Sequence, residues 1–134
     1  MNRLRALLPC VLLITACMPG EDASSQAPSA NVGRVWYYPF ARERITGLHE
    51  EEIDRYGCPF EVARDAFDRA VSSRRPDTPS YDSRDVRAKV VFGSETVFID
   101  RFGAARRVGG EEFFVDTELF AAALVAAGSC PEVR

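Results

Sequence analysis

A single histidine among 134 residues, with no Cys/His cluster around it, argues against a fold built on zinc. No run of about eighteen apolar residues occurs, so no segment is a candidate spanning helix. The patterns G-x-S-x-G, S-x-x-K, G-x-x-x-x-G-K, G-x-G-x-x-G and H-E-x-x-H are all missing. With them go the ready-made nucleophile, the phosphate loop, the dinucleotide fingerprint and the zinc-protease helix. Lysine occurs once, at Lys89, against sixteen arginines. Arginine suits interface ion pairs better than lysine, although the coding bias of a GC-rich genome accounts for the same count. The net charge of −3 argues against nucleic acid as a partner. What is present is an apolar fraction of 46%, typical of one packed domain and too high for a wholly disordered chain.

The chain opens on an address. Arg3 and Arg5 form a positive n-region, and residues 6–16 are apolar apart from Pro9 and Thr15. That is the short core of a secretory signal rather than a membrane span. It ends Leu13-Ile14-Thr15-Ala16-Cys17. An aliphatic residue, two small residues and a cysteine in that order resemble the lipobox of bacterial lipoproteins. The resemblance covers only the leader. It implies cleavage before Cys17, lipidation of Cys17 with palmitate among its acyl chains, and anchoring of the mature protein in a membrane. Several acyl chains hold firmly, since each buried methylene contributes about 0.8 kcal/mol. Met18 stands at +2 where inner-membrane lipoproteins tend to carry aspartate, so the resemblance implies an outer-membrane protein facing the periplasm.

Residues 17–33 hold the lipidated cysteine and a Pro-, Gly-, Ser- and Ala-rich stretch without an aromatic. Such a segment cannot bury enough apolar surface to offset its ordering entropy and reads as a flexible tether. All fourteen aromatics fall between Trp36 and Phe120, which places one globular domain at 34–134.

Within it, residues 34–40 read as a first strand, with Trp36, Tyr38 and Phe40 on one face and Tyr37 on the other. Thr46 reads as the N-cap of a short helix over 47–56, with Leu48, Ile53 and Tyr56 inward. Residues 59–75 carry a helical pattern, although 60–63 also suit a short strand. Residues 85–92 alternate, with Asp85, Arg87 and Lys89 on a wet face. Gly93-Ser94 turns the chain into a partner strand at 95–100, continued at 106–108, and a further strand covers 111–115. Asp116 or Thr117 caps a last helix running to Ala127 and stopped by Gly128, burying Leu119, Phe120, Ala123 and Leu124. The expected fold class is α+β: a small antiparallel sheet with two or three helices packed on one face, and one disulfide.

Cys10 leaves with the leader and Cys17 takes lipid, which leaves Cys58 and Cys130. In the oxidising compartment that the resemblance implies, an even pair reads as a disulfide. The competing reading is a catalytic thiol with His49 as its base. His49 and Glu52 at i, i+3 are too few for a metal site, and no metal or cofactor is expected. Candidate partner-binding residues are Tyr37, His49, Glu50 and Glu51, with Arg101, Arg106 and Arg107 as a small basic patch. The expected function is a lipid-anchored, non-catalytic protein-binding module of the periplasm, in its sharpest form an inhibitor or immunity protein against an envelope-targeting enzyme. The alternatives are a structural or assembly lipoprotein of an envelope or secretion machine, and a small periplasmic enzyme.

Overall fold

A computed structural model describes residues 30–44, 46–73 and 77–126. The leader, the lipobox with Cys17, most of the tether, Cys130 and Gly128 lie outside those residues. The expectations that rest on them, the Cys58–Cys130 bridge included, lie outside too.

The elements run β1 (Val32–Tyr37), α1 (Ile53–Tyr56), β2 (Cys58–Ala63), α2 (Arg64–Ala70), β3 (Val71–Ser72), β4 (Val86–Phe92), β5 (Glu95–Asp100), β6 (Ala104–Arg107), β7 (Glu112–Val115), α3 (Thr117–Ala123) and β8 (Val125–Ala126). The strands form one antiparallel sheet in the order β3-β7-β6-β5-β4-β1-β2-β8. The sheet curves as a half-barrel. This corrects the expected fold class: the molecule is sheet-dominated, and its three helices have only four, seven and seven residues.

Two cores lie on the two faces of the sheet. On the inner face, Val35, Ala88, Val90, Val97, Ile99 and Ala105 meet Phe67 and Ala70 of α2 and Phe120 of α3. The rings of Phe67 and Phe120 stand 6.0 Å apart in an edge-on contact. On the outer face, Tyr38, Leu48, Ile53, Val86 and Phe98 form a smaller core flanked by Trp36 and Tyr81. The helices therefore do not share one face as expected: α2 and α3 cover the inner face, and Ile53 of α1 belongs to the outer core.

Local departures have local causes. The helix expected over 47–56 shrinks to one turn, because Leu48 runs alongside β4 instead. Its carbonyl accepts the Val86 amide at 2.7 Å. Gly47 is needed there, since a Cβ on it would stand 2.0 Å from the Arg84 carbonyl oxygen. Tyr56, expected inside, is 40% exposed. Where the sequence left helix and strand open, residues 58–63 take the strand and α2 starts only at Arg64. β1 begins at Val32, ahead of the expected start, and the Asn31 carbonyl accepts the Arg64 amide. β1 also ends before Phe40, and a turn closed by the Arg42 amide on the Pro39 carbonyl brings that ring back against Tyr37, 5.4 Å away. The last helix stops at Ala123, because Val125 and Ala126 pair with Glu61 and Phe60 on the edge of β2. Leu119, expected to be buried, is 54% exposed, while Phe120 beside it is fully buried.

The expected cap of α3 is in place: Asp116 accepts the amides of Glu118 and Leu119 at 3.0 and 2.9 Å. Losing such a cap typically costs about 1 kcal/mol. Asp116→Ala is therefore expected to lower the unfolding free energy in urea by about that amount with an unchanged denaturant slope, and Asp116→Asn by less.

Candidate binding surface on the outer face

The register of six strands lines up one row of side chains across the outer face: Pro59, Trp36, Lys89, Phe98, Arg106 and Glu112. Cross-strand neighbours of this kind share a face by the period-two geometry of strands. Lys89 sits 5.0 Å from the Trp36 ring centre and donates to both Asp54 oxygens of α1 at 2.9 Å. The Arg34 guanidinium lies 5.6 Å from the centre of the same ring. A slot of about 150 Å³ opens beside it, walled by Trp36, Pro59, Glu61 and Arg34.

Next to this row the loop after β1 builds a ladder of guanidiniums and tyrosines. Arg44 lies 5.5 Å from the centre of Tyr38 and 5.0 Å from that of Tyr56. Arg55 stands 5.4 Å from Tyr56. Arg42 and Arg87 approach Tyr38 at 5.8 and 5.2 Å. Such cation–π contacts contribute about 0.5–1 kcal/mol each at exposed sites and hold long side chains in place.

The whole loop hangs on Arg87, only 1% exposed. A β-bulge between Val86 and Ala88 makes Arg87 the extra residue of β4. That shift puts Val86 in the outer core and Ala88 in the inner one. The guanidinium bonds the Asp85 carboxylate at 3.0–3.1 Å and the Arg42 carbonyl at 2.7 Å. The Arg87 carbonyl accepts the Tyr38 amide at 2.7 Å.

The structure joins some of the residues singled out from the sequence and separates others. Glu50 and Arg106, 56 residues apart, form an ion pair at 2.5 Å, and the Tyr81 hydroxyl donates to the same Glu50 oxygen at 2.8 Å. Burial and the Glu50 charge push the Tyr81 phenol far above its ordinary range, so it remains a donor. The bond to Glu50 likewise raises Arg106. This is an internal brace between the 49–52 turn, the 81–82 loop and β6. His49 and Glu51 are exposed, and the His49 amide donates to Glu52 at 2.9 Å. Among the described residues, no group of three His, Cys, Asp or Glu side chains is placed to hold a metal.

The basic patch expected from Arg101, Arg106 and Arg107 is not assembled as one surface. Arg101 reaches Glu43 at 3.8 Å, while Arg107 pairs with Glu95 at 2.7 Å. Burial alone would raise Glu95, but the hydrogen bonds from Arg64 and Arg107 outweigh it and hold the carboxyl below its usual range. Tyr37 is part of the inner core rather than an exposed contact, with Phe40, Phe60 and Phe120 around its ring. Burial raises Asp100, whose oxygens accept the amides of Asp82, Phe102 and Ala104 and so set the turn after β5.

The sequence reading missed Arg34, Arg44, Arg55 and the outward place of Tyr56. The available signal was the arginine count itself, concentrated around the aromatic run at 36–40. No family model matches this chain, and no curated protein or solved structure matches it.

Proposed function

We propose that this chain is a lipid-anchored, non-catalytic protein-binding module whose partner docks on the outer face of the sheet. One observation carries the reading. Tyr56 stands at the surface and Trp36 is half-buried at the edge of the outer core, with the guanidiniums of Arg34, Arg44 and Arg55 near their rings, and among the described residues none of these three cations has an ion-pair partner. Trp, Tyr and Arg are the residues that dominate interface energetics, and rings that fix an arginine lower the entropy lost on docking. The uncompensated positive charge favours an acidic partner surface. An inhibitor or immunity protein directed at an envelope enzyme fits such a face, and the leader supplies the tether through Cys17.

The test uses the full-length chain. Retention of the captured partner by wild type is compared with retention by Trp36→Ala/Arg34→Glu and by Asp68→Lys, the last on the solvent side of α2. Loss of a hot spot of about 2 kcal/mol corresponds to a drop of roughly thirtyfold. That drop is expected for the outer-face variant alone. Equal retention by all three removes the face from the proposal. Labelling with radioactive palmitate, present in wild type and lost in Cys17→Ser, checks the anchor.

A further inference from the structure

The guanidinium–tyrosine ladder has a second property, independent of any protein partner. Two cations, Arg44 and Arg55, lie within 5.4 Å of one ring centre, and neither has a carboxylate partner among the described residues. Four acids of the neighbouring segments are engaged elsewhere, and Glu51 is exposed with no ion pair to either cation among the described residues. Asp54 binds Lys89, Asp85 binds Arg87, Glu43 reaches Arg101, and Glu52 accepts the His49 amide. Arg87 adds its field through Tyr38, and Asp85 offsets it in part. Like charges gathered this way oppose folding unless a counter-charge arrives.

We propose that Arg44 and Arg55, positioned by Tyr38 and Tyr56, form an oxyanion site that takes a phosphate group. A carboxylate carries one charge and is satisfied by one guanidinium fork. A phosphate monoester carries close to two charges near neutral pH and offers three acceptor oxygens, which suits two forks approaching from different directions. The tyrosine rings hold both forks in place before the ligand binds, so little side-chain freedom is lost on binding. The same chemistry is offered by a soluble phosphate monoester and by the monoester headgroup of phosphatidic acid.

The experiment titrates the full-length chain with inorganic phosphate by calorimetry, and in parallel measures its partition onto vesicles of phosphatidylcholine with and without phosphatidic acid. Comparing two vesicle compositions cancels the contribution of the lipid anchor. Wild type is expected to bind phosphate saturably. Arg44→Gln/Arg55→Gln is expected to weaken binding at least tenfold at an unchanged thermal midpoint, while Arg69→Gln on α2 binds like wild type. A phosphatidic-acid-dependent gain that disappears in the double variant assigns the phosphate to a lipid headgroup. Phosphate binding without that gain assigns it to a soluble ester. Absence of both responses overturns the site, as does equal binding by the double variant. Binding of hexaglutamate in place of phosphate also overturns it and returns the ladder to an acidic protein.

Discussion

Arg87→Ala is expected to lower the unfolding free energy by about 3 kcal/mol, the low end of the cost of removing one partner from a buried ion pair, because the Asp85 side chain is 25% exposed. The side chain is fully buried, and its loss strands the Asp85 carboxylate and the Arg42 carbonyl without their donors. An unsatisfied buried acceptor alone costs about 1–3 kcal/mol. Arg87→Met keeps much of the volume but none of the donors, so it is expected to fall between wild type and the alanine variant. Arg84→Ala is the control: its pair with Asp82 is at the surface and is expected to change stability by less than about 1 kcal/mol. Urea unfolding of the three variants checks the order. A small loss for Arg87→Ala means that the loop after β1 does not depend on the bulge. The variant is also expected to release Arg44 from Tyr38, so its phosphate response falls together with its stability.

Phe120→Ala is expected to cost about 3–5 kcal/mol, and Leu119→Ala within about 0.5 kcal/mol of nothing. The two residues are neighbours on α3, yet Phe120 is fully buried and Leu119 is 54% exposed. Phe120 is where the inner core closes. Its ring meets Tyr37 at 6.4 Å, Phe40 at 6.1 Å and Phe67 at 6.0 Å, tying both inner helices to the end of β1. The alanine variant leaves a cavity bounded by three rings, from β1, the turn after it and α2, so the site cannot collapse cheaply. Equal losses at 119 and 120 contradict the helix orientation.

These two cases also separate what the residues declared from what they concealed. The hairpin of β4 and β5 was legible, because alternation at 85–92, the Gly93-Ser94 turn and the β-branched run at 95–100 all agree. The same alternation misplaced Arg87 on a wet face. A bulge adds one residue to the period, and nothing local in Asp85-Val86-Arg87 reveals it. The carbonyls of Pro39 and Arg42, supplied from 45 to 48 residues away, join Asp85 in making burial of that cation tolerable. The end of the last helix failed for a related reason. Val125 and Ala126 have no strand pattern of their own, and the edge of β2 recruits them. Leu48 leaves its expected helix because Val86 needs an acceptor.

The candidate face was legible in part. Trp36 and Tyr38 were placed correctly on one face by period two, and Phe40 was not, since the strand had already ended. Glu50 and Arg106 were recognised as unusual, but they bond each other instead of a partner. The opposite error concerns Arg34, Arg44 and Arg55. In sequence they were three of sixteen arginines, covered by a coding-bias explanation. In the fold each stands over an aromatic ring, at distances of 5.6, 5.0 and 5.4 Å.

The central claim is that the outer face, and not the helix-covered side, meets another protein. Site-specific photocrosslinking in intact envelopes tests it most directly, with benzoylphenylalanine placed in the full-length chain at Glu61 or at Asp68. Glu61 borders the Trp36 slot, and Asp68 is exposed on α2. The account predicts one crosslinked protein product of defined mass from position 61 and none from position 68. A product from position 68 alone, or from neither position, contradicts it.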